Sequence, residues 1–361
     1  MIRPGHKYSM RAKLLSMLLL AGVGLLAPMH VLWAQGAVFG PADDAAPTPV
    51  PAVPTFGPAG GERSISEWLM RMHEASRKRA YVGTFVVTSE ANLASARIWH
   101  VCDGDQQMER VDTLTGPPRS TFRRNDQVVT FLPDVKVARV EKRESLGLFP
   151  NLLTATDSSI PEFYAARQVG TDRVAGFEAD IVQLKPKDQM RYGYRVWSEK
   201  KSRLVIKLQT LDLDGRVLEQ AAFSELQLDA PVRMDKLVQM MGKTAGYKTE
   251  KLEVMPTTAA AEGWSLKAPI AGFKSMSCLK RPVAAGGVQP GTIQWIFSDG
   301  LASVSLFLEA FDTQRHVREG LVSMGATQSL TQRLNDWWLT AVGEVPPQTL
   351  KAFVQALERK K

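Results

Sequence analysis

Apolar and polar positions alternate with a period of two through most of this chain, most clearly from Arg191 to Phe223. Tyr192, Tyr194 and Val196 fall on one side of a first strand there, and Arg191, Arg195 and Trp197 on the other. After the charged turn Glu199-Lys200-Lys201, Leu204, Ile206 and Leu208 repeat the period. Asp214-Gly215 then supplies a residue suited to positive φ before Val217 and Leu218. This pattern predicts a half-buried antiparallel meander. Further strands are expected at 81–88, 95–101, 107–113, 120–124, 128–132 and 135–140. Asp103-Gly104 and Asn125-Asp126 sit where hairpins turn. The helical period appears first after Ser64, where Ser64-Ile65-Ser66-Glu67 forms a capping box and Ile65, Trp68, Leu69, Met72 and Ala75 form one stripe. Residues 144–170 are apolar without either period. A second strand group then runs from Gln168 to about Leu228, followed by the helix-like stretch Pro231–Met241.

A Gly- and Pro-punctuated linker over 242–262 separates this first unit from a smaller one. There strands are expected near 264–266, 274–279, 291–298, 301–310 and 333–342, with Asp299-Gly300 as a turn. Pro346-Pro347 opens a closing helix striped by Leu350, Phe353, Val354 and Leu357. The organisation expected is therefore a large unit over 64–241 and a small α+β unit over 263–358. Ahead of both lies a Pro/Ala-rich tether, 37–63, which cannot bury a core. Residues 1–36 order basic, apolar and small residues as a secretory signal does, with Arg3, Lys7, Arg11 and Lys13 before Leu14–Leu26. Pro28-Met29-His30 interrupts the apolar run earlier than a membrane anchor requires.

Charge changes the picture little. The chain carries +8, and the signal's four basic residues account for four of these, leaving +4. Basic clusters are short and do not interleave with aromatic residues, so no nucleic-acid partner is expected. Catalytic and cofactor chemistry is equally thin: no Walker loop, nucleophile elbow, dinucleotide fingerprint or His/Cys metal spacing occurs, and the expectation is a non-enzyme without cofactors. Cys102 and Cys278, the only cysteines, are read as two independent buried thiols; a bridge between them would tie the two units together.

Motif wording adds what periodicity lacks. Tyr192-Gly193-Tyr194-Arg195-Val196-Trp197, with Leu211-Asp212-Leu213-Asp214-Gly215 and Leu218-Glu219-Gln220, resembles the RseB/MucB family of periplasmic sigma-E regulators. Leu114-Thr115-Gly116-Pro117-Pro118-Arg119, Gly272-Phe273 with Lys280-Arg281-Pro282, and the stretch Val342-Gly343-Glu344-Val345-Pro346-Pro347-Gln348-Thr349 agree in order. The resemblance implies a large domain built as an unclosed antiparallel barrel with packed helices, like the lipoprotein carriers, plus the small α+β domain. It implies binding to the periplasmic domain of a membrane anti-sigma factor, protection of that factor from proteolysis, and release by lipopolysaccharide or another acylated lipid. The alternative is a periplasmic lipid or lipoprotein carrier sharing the fold. By the resemblance, the lipid-cavity candidates are Phe85, Val87, Ile98, Phe131, Phe149, Leu152, Phe163 and Tyr164, residues that a plain core reading also buries. The small domain is the partner surface, with Lys280, Arg281, Trp337 and Trp338 as candidates. Whether copies associate into a homo-oligomer stays open.

Overall fold

The structure, a computed structural model, describes residues 65–90, 92–143, 149–150, 159–252, 254–281 and 291–360. The expected signal segment and tether, and the cavity candidate Leu152, lie outside the described residues.

Helix α1 (Ile65–Lys78) leads into a meander of six strands, β1 (Tyr81–Ser89), β2 (Asn92–Asp103), β3 (Gln106–Thr113), β4 (Ser120–Arg124), β5 (Gln127–Leu132) and β6 (Val137–Lys142). A single helical turn, α2 (Ile160–Phe163), precedes a second meander of β7 (Tyr164–Val174), β8 (Phe177–Pro186), β9 (Gly193–Glu199), β10 (Val205–Leu211) and β11 (Val217–Leu228). Antiparallel pairing of β1 with β11 fuses the two meanders. Helix α3 (Met234–Met241) and strand β12 (Lys248–Lys251) follow, and β12 adds in parallel to β6. The result is one twelve-stranded sheet, β12-β6-β5-β4-β3-β2-β1-β11-β10-β9-β8-β7, whose outer strands do not pair with each other. It is an unclosed, almost wholly antiparallel sheet.

Two cores line its faces. Leu69 and Met72 of α1 pack on Phe85, Ile98, Tyr194, Val196 and Phe223. A second cluster joins Met108, Phe122, Val129 and Phe131 to Leu237 and Met241 of α3. Gly104, Asn125 and Gly215 adopt positive φ, as the expected hairpin turns require.

The smaller unit is a seven-stranded sheet. Its strands are β13 (Met255–Thr257), β15 (Lys274–Arg281), β16 (Thr292–Ser298), β17 (Ser303–Ala310), β18 (Gly320–Met324), β19 (Thr327–Leu334) and β20 (Trp337–Gly343), in the order β13-β15-β16-β17-β20-β19-β18. Helix α4 (Pro347–Ala356) packs Leu350, Phe353 and Val354 into its core. The short pair β14 (Trp264–Leu266) and β21 (Leu357–Arg359) closes the end.

Four expectations change. Strand β9 and the residues before it are buried on both sides rather than one: Arg191 is 0% exposed, Tyr194 2% and Trp197 4%. Strand β7 starts at Tyr164, four residues before the expected Gln168. The strands expected near 333–342 are the hairpin of β19 and β20, whose first strand begins earlier, at Thr327, and β18 is an additional strand outside the expected ones. Residues of the 242–262 linker supply an edge strand to each sheet, β12 to the large and β13 to the small.

Candidate functional site

The motif segments quoted above come from distant parts of the chain, and several meet where the two sheets touch. Asp299, in the turn after β16, is 0% exposed. Its Oδ1 accepts the backbone N–H groups of Leu301 and Ala302 at 3.0 and 2.7 Å, which is the ordinary work of an aspartate in a turn. Its Oδ2 faces the large sheet and accepts the Arg191 Nε–H and the Tyr164 hydroxyl, each at 2.9 Å. Arg191 Nη2 donates to the Ala271 carbonyl at 2.8 Å, and Nη1 to the Asp188 carboxylate. The guanidinium lies over the rings of Phe163 and Phe273, 4.4 and 5.3 Å from their centroids. A charged group can stay fully buried only with partners of this quality.

Gly272 explains the Gly-Phe motif. It has φ +81, and a Cβ there would stand 2.5 Å from Arg191 Nη2 and 3.0 Å from the Phe163 ring. The Pro-Pro-Gln-Thr motif closes the junction nearby. Thr349 Oγ1 donates to the Met190 carbonyl at 2.6 Å and Gln348 Nε2 to the Gln189 carbonyl at 2.7 Å.

The same junction holds two further carboxyls, Glu219 of β11 and Glu344 after β20. Burial, then the charge of Glu344, pushes the Glu219 carboxyl up to about 8. Burial also raises Glu344. Burial, then the carboxylates of Asp299 and Glu344, holds the Tyr194 hydroxyl well above the usual phenol range. Among the described residues of the seam, the buried Arg191 is paired with Asp299 and Asp188, while burial favours the neutral form of the Glu219 and Glu344 carboxyls.

Among the lipid candidates, Phe85, Ile98, Phe149 and Tyr164 share the core under α1, and Val87 and Phe163 pack against it. Phe149 packs at a tilt against Phe85 and Phe223, at centroid distances of 5.6 and 4.9 Å. Phe131 belongs to the other core, beside Phe122 and Tyr247. Tyr164 and Phe163 also form part of the junction, through Asp299 and Arg191.

The partner candidates do not form one patch. Lys280 is held by Glu262 at 2.9 Å and Arg281 by Gln294 at 2.8 Å. Trp338 is buried and stacks on His316 at 4.8 Å. Trp337 packs edge-on against Trp264 and lies under Arg359. Cys102 and Cys278 are free thiols, the first half-buried with its Sγ donating to the Lys78 carbonyl at 2.8 Å, the second buried. The residues that join the domains, Arg191, Asp299, Glu219 and Glu344, were not singled out from sequence. Arg191 stands on a strand face, Glu219 and Glu344 in quoted motifs and Asp299 in an Asp-Gly turn, and none of these local patterns signals a contact across a seam.

Comparison with known proteins places both sheets together in one family. Residues 64–241 match the model of the MucB/RseB N-terminal domain and residues 258–358 that of the MucB/RseB C-terminal domain. The sigma factor AlgU regulatory protein MucB of Pseudomonas aeruginosa is 28% identical over 295 residues, 80% of this chain and 89% of that one. The sigma-E factor regulatory protein RseB of Haemophilus influenzae is 24% identical over 298 residues, 82% of this chain and 92% of that one. Among solved structures, MucB in complex with MucA(peri) superposes with a TM-score of 0.61 at 25% identity, covering 82% of this chain and 100% of that one. A second MucA/MucB complex, from Pseudomonas aeruginosa, gives 0.62 at 25% identity with 82% and 99% covered. With both domain models matched in order across most of its length, the chain belongs to the MucB/RseB family.

Proposed function

We propose that this protein is a periplasmic negative regulator of an envelope-stress sigma factor. It binds the periplasmic region of a membrane anti-sigma factor, shields it from the protease that begins its destruction, and lets go when an acylated lipid such as lipopolysaccharide binds. The observation that carries this reading is the match along both domains to a MucB solved with MucA(peri). Its relatives are named as regulators, which favours a binding protein over an enzyme. In this reading acyl chains take the apolar space beside α1 that Phe149 fills among Phe85 and Phe223. Lipid and anti-sigma segment favour different arrangements of the two domains, so each weakens the other by the same factor.

The test is proteolysis of the anti-sigma factor's periplasmic domain. Adding this protein slows the first cut, and adding lipopolysaccharide restores it. Equal cleavage rates with and without the protein overturn the proposal.

A further inference from the structure

Sheet edges expose unpaired N–H and C=O groups, and proteins blunt them unless pairing is wanted. Among the described residues, three of the four edges of the two large sheets are blunted. Strand β12 carries Lys248, Glu250 and Lys251 in four residues. Strand β7 breaks register between Gln168 and Gly170 and carries Arg167, Asp172 and Arg173. Strand β13 has three residues, one of them Pro256. The fourth edge, β18, differs. Its sequence Gly-Leu-Val-Ser-Met has no charge and no proline, and its register to β19 is unbroken. Leu321 and Val322, which point to opposite faces, are 40% and 55% exposed. Neither face of this strand serves the core.

The place of the strand matters as much as its composition. The turn that ends it is plugged into the large domain: a Cβ on Gly325 would stand 2.7 Å from Ser89 Cβ and 2.9 Å from Glu219 Oε2. Ala326 and Thr327 are buried there. A chain laid along β18 is thereby led onto the large sheet, at the end where β1 finishes and β11 begins. Exposed Leu93 and Val217 stand at that end.

Resting on the regulatory reading above, we propose that β18 is the strand to which an extended, uncharged stretch of the anti-sigma factor's periplasmic region adds. Backbone pairing supplies the affinity, and Leu321 and Val322 supply apolar contacts to alternate side chains of the added strand. A second copy of this chain is the weaker occupant. A five-residue edge paired with itself covers far less than the ~1,200 Å² at the low end of stable interfaces. A peptide instead continues across the hairpin tip onto the other domain. Binding at β18 then holds the junction that Glu219 and Gly325 share.

The experiment uses the full chain and the periplasmic domain of the host's own anti-sigma factor, with hydrogen exchange and calorimetry. Wild-type amides in 320–324 become protected in the complex, and the double variant Leu321→Lys/Val322→Lys binds at least tenfold more weakly with an unchanged thermal midpoint. If the wild type binds but 320–324 stays unprotected and the variant binds equally well, β18 is not the site, while the regulatory reading stands. If the wild type does not bind at all, both fall. If the variant loses only self-association, with peptide affinity intact, β18 is an interface between copies and the proposal is overturned.

Discussion

A guanidinium that is wholly out of water has to find donors' partners in the protein, and Arg191 finds them largely across the seam. Its Nε reaches Asp299, one Nη reaches Ala271, and Phe163 and Phe273 cover its faces. Removing one member leaves an uncompensated buried charge, which costs more than the pair itself contributes. Arg191→Met should therefore lower stability by about 3–5 kcal/mol, read as a shift in the urea midpoint. The double variant Arg191→Met/Asp299→Asn should be less damaging than the sum of the two single ones, because neither charge is then stranded. Gly272→Ala should act on the same contact by driving a methyl against Nη2, with displacement of the guanidinium visible as loss of the Tyr164 hydroxyl's protection. Glu219 adds a pH dependence with a definite sign. Its carboxyl is raised from 4.5 to about 8 in the assembled junction, by burial first and by Glu344 second. The groups around it are Glu344, the Ala326 backbone and, beyond Glu344, Tyr194 with Asp299 and Arg191. A raised carboxyl means that the assembled form binds more protons than the separated one. Its contribution is full below about 4.5 and is lost as pH climbs toward about 8. Thermal midpoints measured across that window should fall with rising pH, and Glu219→Gln should flatten the slope; an unchanged slope in the variant would remove Glu219 from the account.

At the scale of elements, alternation located most strands of both sheets, because each residue that faces a core must be apolar whatever lies opposite, but not the short edge strands β12, β13, β18 and β21. It misjudged burial in β9, where both faces are covered. Arg195 and the residues before β9 look like a solvent face in the sequence, and Arg191 fits that pattern until the small domain is placed over it. Strand β18 escaped notice for the complementary reason: a short edge strand with both faces open has no alternation to betray it. Helix α4, by contrast, follows from Pro346-Pro347 and the stripe of Leu350, Phe353 and Val354, while Leu357, expected on the same stripe, opens strand β21. Phe353 of that helix is fully buried between Phe273 and Phe297. Phe353→Ala should cost about 3–5 kcal/mol in the small domain, seen by tryptophan fluorescence of Trp264 and Trp295 during denaturation. Since Phe273 also covers Arg191, the same variant should loosen the junction.

For the whole molecule, the seam joins the two domains through Arg191, Asp299, Tyr164, Gln348 and Thr349. Deleting residues from 258 onward should leave the large sheet folded but expose Arg191 and Glu219 to water. Glu219 should then titrate in the ordinary carboxylate range, a change that NMR can follow, and binding to the anti-sigma domain should largely disappear. The sequence by itself determined that this is a two-part, strand-rich α+β chain, with turns at Gly104, Asn125, Gly215 and Gly300. It also carried the family, because motif wording survives where periodicity is silent. Tertiary structure alone decided which of those motif residues meet. The lipid candidates separate into two cores, Phe131 in one and Phe85 and Phe149 in the other, and the half-exposed partner candidates Lys280 and Arg281 pair with Glu262 and Gln294. Arg191 and Asp299 are more than a hundred positions apart in the sequence, and no local pattern links them. Their pairing exists only because two independently built sheets, each satisfying its own hydrogen bonds, bury the same few charged side chains when they come together.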